Sequence, residues 1–243
     1  MIYDKESDII EYIKDNIIDK NTLIYSNNNF SKQIFKVLSN LDTFIDNSSH
    51  SNQPPDFYSN EYSVMFDIFK INDTEQKKNF NPTKIEERKI ERENESFISK
   101  FPNAKVFIDT HSEIQNGKIT YLVKQTKRVL ENHIDKIPIW EREHPNIKHK
   151  GLIVFNESEF YSTAKWDGCD YIKEKNYILY EPWLDKNIIE NVFSKIDFIL
   201  WICPYQSSFI CKEFPYCPKF VLMDMRLPLR NIKEYDYDKF ERT

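Results

Sequence analysis

Apolar residues recur along this chain at two periods, and the switches between them outline a fold. Ile9, Ile10, Ile13 and Ile17 share one face at helical spacing, which predicts an opening helix. Thr22 to Ser26 reads as a short strand or a linker, and Asn27 to Asn29 supply capping chemistry. Phe30, Ile34, Val37, Leu38, Leu41 and Ile45 then recur at intervals of three and four, predicting an amphipathic helix over 30–45. A polar stretch ends at Pro54-Pro55. Asp56 to Tyr58 predicts a short strand, Ser59-Asn60 a turn, and Tyr62 to Asn72 a longer strand. In that strand Val64, Phe66, Ile68 and Lys70 face one way and Met65, Asp67, Phe69 and Ile71 the other, so both faces are apolar and each carries one charge. A charge in a covered strand needs a partner, a metal or a cleft.

Beyond this hairpin, strands alternate with helices. Asn81-Pro82 opens a highly charged helix over 83–100, and Ala104 to Asp109 is a strand. Ile119 to Ile137 predicts a helix burying Ile119, Leu122, Thr126, Val129, Leu130 and Ile137, with His133 on the same stripe as a core histidine. Gly151 to Phe155, Asp197 to Cys203 and Lys219 to Met225 read as strands, and 184–196 as a helix between them. The expected fold class is α/β: a single domain over 1–230 with a mixed, mainly parallel sheet flanked by helices, an antiparallel hairpin near residues 56–72, and a polar C-terminal tail over 231–243.

Composition narrows the functions open to such a fold. Hydrophobic residues make up 40% and aromatics 15% of the 243, enough to exclude disorder by composition. The net charge of −5 argues against a general basic coat for nucleic acid, while a local basic groove stays open. Only three glycines occur and none forms a GxGxxG or phosphate-loop signature. No apolar run is long enough to span a membrane and the acidic start does not read as a secretory signal, so no membrane partner and a cytoplasmic location are expected. Cys169, Cys203, Cys211 and Cys217 lack the paired spacing of zinc ribbons and are expected to be reduced and structural.

The candidate chemistry lies in the hairpin. Pro55-Asp56, followed by Asp67 and Lys70 on the long strand, resembles the PD-(D/E)xK nuclease-like superfamily, over roughly the first 110 residues. That resemblance implies a restriction-endonuclease-like fold, a divalent cation (Mg²⁺) held by Asp56 and Asp67, and catalysis by Asp56, Asp67 and Lys70 on a nucleic-acid phosphodiester. Carboxylate oxygens suit Mg²⁺, and a cation steadies the charge that develops at the scissile phosphate. Asp67 and Lys70 are three apart and so lie on opposite faces of a regular strand. A tight turn at Ser59-Asn60 would set Asp56 opposite Ser63 and leave Asp67 on the order of 13 Å further along, whereas a longer loop or a shifted register would bring the two acids together. The ordinary alternative for Asp67 and Lys70 is a pair of charges satisfied by salt bridges. The chain is also similar to an uncharacterised bacterial family with PPDF, MEVMR-type and FDES segments, through Pro54 to Phe57, Met65 to Lys70 and Phe155 to Ser158, a resemblance that implies no activity.

A second candidate is the crevice at the carboxyl ends of the parallel strands, where Asp109, Thr110, His111, Asn156, Glu157, Cys203 and Asp224 are expected. Within it, Asp109, His111 and Glu157 are the titratable candidates for acid, base or metal-ligand roles. Lys118, Lys124, Lys127 and Arg128 form a modest basic ridge, open to phosphate or simply solvated. The expected function is a Mg²⁺-dependent nuclease or phosphodiesterase, or an inactive relative. The rival is a non-catalytic protein-interaction, immunity or regulatory protein whose partner is another protein.

Overall fold

The structure is a computed structural model that describes residues 5–17, 22–48, 55–73, 117–158, 161–163, 178–190, 192, 194–204, 218–228 and 231–242. The expected helix over 83–100, the strand over 104–109 with Asp109, Thr110 and His111, and Cys169, Cys211 and Cys217 lie outside the described residues.

The isoleucine stripe makes α1 (Glu6–Asn16), which buries Ile9, Ile10 and Ile13, with Ile17 continuing the stripe past its end. α2 (Asn29–Leu38) starts where the Asn28 side chain accepts the Ser31 N–H at 2.8 Å. It stops seven residues before the expected end. Ser39 Oγ and Asn40 Nδ2 donate back to the carbonyls of Phe35 and Lys36, and a 3₁₀ turn over Leu41–Thr43 follows. Ile45 therefore leaves the helix for an edge strand.

Seven strands form one mixed sheet: β1 (Thr22–Ile24), β2 (Ile45–Asp46), β3 (Phe57–Ser59), β4 (Val64–Ile71), β5 (His149–Asn156), β7 (Phe198–Ile202) and β8 (Phe220–Asp224), in the order β1-β8-β7-β5-β4-β3-β2. The central strands β4, β5 and β7 run parallel, as expected of apolar strands joined by helical crossovers. β8 is antiparallel to β7 and parallel to β1. Consequently Asp224 pairs opposite Phe198, at the far end of the sheet from Cys203, and does not join the crevice at the carboxyl ends where it was expected. There the Asp224 carboxylate is clamped by Arg226, at 2.9 Å through both Nε and Nη2, and by Asn28 Nδ2 at 2.8 Å.

The sheet is covered on both faces. Phe66, Ile68, Ile153, Phe155, Phe198, Leu200 and Phe220 pack with α1 and α2 in one core. Met65, Phe69, Leu152, Val154, Trp201 and Val221 pack in the other, under α3 (Ile119–Ile134) and α4 (Ile137–Glu143), whose N-terminal Pro138 suits a first turn. The helix expected over 184–196 is instead a 3₁₀ turn (Pro182–Leu184) and one helical turn, α5 (Lys186–Ile189). Asp185 divides them: its carboxylate accepts the Asn187 N–H and the hydroxyls of Tyr180 and Tyr237, a fully buried junction that continuous helix could not supply. The segment read as a polar tail is docked. Tyr235, Tyr237 and Phe240 pack around Tyr180, and β9 (Glu241–Arg242) pairs with β6 (Tyr161–Ser162).

Gly151 of β5 is a strand position where a side chain has no room. A Cβ there would sit 2.2–2.4 Å from ring atoms of the fully buried Phe198. Gly151→Ala should therefore destabilise the domain by about 1–3 kcal/mol through overpacking, and adding Phe198→Leu should recover part of that loss. Urea melts of the two single variants and the double variant measure the coupling; additive losses would show that the ring yields freely.

Candidate functional site

The hairpin register decides what the site contains. Phe57 pairs with Phe66, Tyr58 with Met65 and Ser59 with Val64, so residues 60–63 form the connection and Asp56 falls opposite Asp67. The tight turn at Ser59-Asn60 does not form. Ser63 closes the longer loop in the left-handed region at φ 54°, a conformation costly for a non-glycine residue. Its cost is offset by a dense set of hydrogen bonds: the hydroxyl accepts the Lys148 N–H at 2.9 Å and donates to the Asn146 carbonyl, while the Ser63 carbonyl accepts the His149 N–H at 3.0 Å.

Opposed in this way, the two aspartates extend the ladder with their side chains. Asp67 Oδ1 accepts the Asp56 N–H at 2.8 Å, and Asp56 Oδ2 accepts the Ile68 N–H at 2.8 Å. Asp67 is 1% exposed, and its second oxygen is 2.8 Å from His133 Nδ1 in the last turn of α3. The His133 ring also stacks on Phe69, with centroids 4.7 Å apart. Its place in the last turn of α3 brings the imidazole over the Asp67 carboxylate.

Burial, then the neighbouring Asp67 charge, push the half-buried Asp56 carboxyl up to about 7 from its ordinary 3.8. Glu6, at the start of α1, is raised by burial and then by Asp67 and Asp46. Negative charge is therefore in excess around the open edge of β4. A cleft of about 600 Å³ opens there, between the first turn of α1 (Lys5, Glu6, Ser7), Asp46 and Ser48, and Ile68, Phe69 and Lys70 of β4. Lys70 does lie on the opposite face of β4 from Asp67, and its ammonium is 3.4 Å from Glu157. Thus Asp56 and Asp67 come together, Lys70 and Glu157 form a separate pair, and His133 and Glu6 are the residues that sequence reasoning left out of the site. The signal for His133 was present: a histidine on the apolar stripe of a helix, and a buried strand aspartate in need of a partner.

The remaining crevice residues are tied to one another. Asn156 Oδ1 accepts the Ser158 N–H and hydroxyl, and Asn156 Nδ2 points to Cys203 Sγ at 3.9 Å. Among the described residues no three His, Cys, Asp or Glu side chains are grouped to enclose a metal ion, and no helix is long and apolar enough to cross a membrane. No protein-family model, curated protein or solved structure matches the chain.

Two outcomes are expected. Because the folded state binds the Asp56 proton more tightly than the unfolded state, stability should fall as pH rises from about 4 to about 7 and level off above. Asp56→Asn, which keeps an acceptor for Ile68, should remove this slope and gain on the order of 1–2 kcal/mol at about pH 8, read from denaturant melts across pH. Asp67→Ala should cost about 2–4 kcal/mol, since it orphans the Asp56 N–H and His133 together; a loss below about 1 kcal/mol would show that neither contact matters to the fold.

Proposed function

We propose that this protein is a divalent-cation-dependent phosphodiesterase of nuclease type, with Asp56 and Asp67 at its centre. The observation that supports the reading is the β3–β4 register, which sets the acid of the Pro55-Asp56 pair opposite a buried strand acid and leaves their charge under-compensated. The donor set suits Mg²⁺, which commonly takes one or two carboxylates and completes its shell with water and substrate oxygens. Asp56 Oδ1 has no hydrogen-bond partner among the described residues, and Glu6 is the next carboxylate along the open edge. When bound, such a cation would polarise a phosphoryl oxygen and lower the pKa of a water ligand. The chain's own groups divide the remaining work. Asp67, gripped by the Asp56 N–H and by His133, fixes where Asp56 stands. Lys70, on the cleft side of β4, is placed to meet a phosphate rather than to touch the acids.

A non-catalytic protein-binding role is the second reading. It is favoured by the fact that both Asp67 oxygens and the Lys70 ammonium already have partners in the fold, as structural charges would. Metal response separates the two. At about pH 8, where Asp56 is largely ionised, Mg²⁺ or Mn²⁺ at one hundred times its dissociation constant should stabilise the protein by about 2.7 kcal/mol. The shift should shrink near pH 5 as Asp56 takes up its proton, and Asp56→Asn should lose both the shift and the cleavage of plasmid or single-stranded DNA. Wild-type protein showing neither shift nor cleavage would exclude the catalytic reading in favour of the second.

A further inference from the structure

We propose that the cleft beside the carboxylate pair is built for an unpaired nucleic-acid strand, with Lys70 and Lys5 taking two successive phosphates. This inference rests on the phosphodiesterase reading and adds the substrate class to it. Three observations carry it. The first is size: about 600 Å³ lies within the range of small-ligand pockets, about 300–1,000 Å³, and suits one or two nucleotides. A duplex is a far wider object, whose major groove alone is about 12 Å across. The second is charge. Duplex binding relies on many phosphate contacts, yet among the described residues the lining holds two cations, Lys5 and Lys70, beside Glu6 and Asp46, in a chain of net charge −5. The acids repel a polyanion passing over the surface, and the two lysines suffice for a short stretch inside.

The third observation is the character of the floor. Ile9 and Ile68 line the same cleft as the lysines and the hydroxyls of Ser7 and Ser48, while the Phe69 ring belongs to the other face, where it stacks on His133. A splayed nucleotide likewise presents an apolar and a polar aspect, a base face and a phosphate. Among the described residues the β3–β4 ladder stops at the pair Phe57–Phe66, and beyond it the Asp56 carboxylate caps Ile68. The two aspartates do not themselves line the cleft; Ile68, whose N–H the Asp56 carboxylate accepts, does. The Lys70–Glu157 contact is partly exposed and 3.4 Å long, so exchanging it for a phosphate costs on the order of 1 kcal/mol or less.

The test uses the full chain and a short fluorescein-labelled oligothymidylate, compared with a duplex of the same length. Binding is read by anisotropy with Ca²⁺ and cleavage with Mg²⁺ or Mn²⁺. The single strand should bind at least about tenfold tighter than the duplex. Its log Kd should change with log salt by about 1.4 in magnitude, the value for two phosphates on a single strand. Lys70→Ala and Lys5→Ala should each lower that slope by about 0.7, and Lys70→Arg should restore it. Equal or tighter duplex binding, or a slope indifferent to both lysines, would overturn the inference. If the metal-dependent thermal shift persists while the oligothymidylate fails to bind, the cleft assignment fails and the metal site stands. Salt-dependent strand binding without metal shift or cleavage would keep the cleft as a strand-binding groove and remove the enzyme. Loss of binding, shift and cleavage together removes both.

Discussion

A carboxylate that is 1% exposed, on a strand otherwise apolar on both faces, is the constraint around which this domain is arranged. Left alone in the interior, Asp67 would cost several kcal/mol of desolvation, a large share of the stability of any single domain. Two elements answer it from different directions. The hairpin brings the Asp56 N–H across from β3, and α3 brings His133 down from its layer. Each contact fixes more than one hydrogen bond: the first selects the pairing of β3 with β4, and the second sets how far α3 advances along the sheet. The left-handed Ser63 follows from this, because only the longer loop delivers that pairing.

Satisfying Asp67 transfers the electrostatic problem to Asp56 rather than removing it. Burial above all, then the charges of Asp67 and Glu6, raise the Asp56 pKa, and the Ile68 N–H and Lys136 offset this only in part. Such an edge favours a retained proton on Asp56. The fold has thus converted a structural requirement into a chemically poised group, a pattern familiar where pairs of carboxyls take different roles.

Much of this fold is legible from side-chain period. The stripes of α1, α2 and α3 and the apolar runs of β4, β5, β7 and β8 are strong enough that core burial leaves little alternative. Three things escape that reading for physical reasons. A shift of the hairpin by four residues is even, so every side chain keeps its face; period two is blind to it, and the contact of Asp67 with the Asp56 N–H, reached through the loop that Ser63 closes, decides. The direction of β8 is equally hidden, since a strand that is apolar on both faces reads alike either way, and Asp224 went to the opposite end from the one expected. The single turn of α5 depends on Asp185 meeting tyrosines from residues 180 and 237, a contact between distant parts of the chain.

The order of the strands has a consequence for how the chain reaches this state. Residues 56 to 67 are close in sequence, so their hairpin and its paired acids can close within microseconds and without help from the rest. The face that α1 and α2 cover is different. The hairpin gives it Phe57, Val64, Phe66 and Ile68, but Ile153, Phe155, Phe198, Leu200 and Phe220 complete it, and β1 itself pairs with β8, so the early helices cannot finish their packing until residues beyond 220 have been made. During synthesis the ribosome therefore exposes two amphipathic helices with their isoleucine and phenylalanine stripes open while the rest of the sheet is awaited. Pairings between such distant parts of a chain are slow to form, so the core over this face closes only around the strands that arrive last.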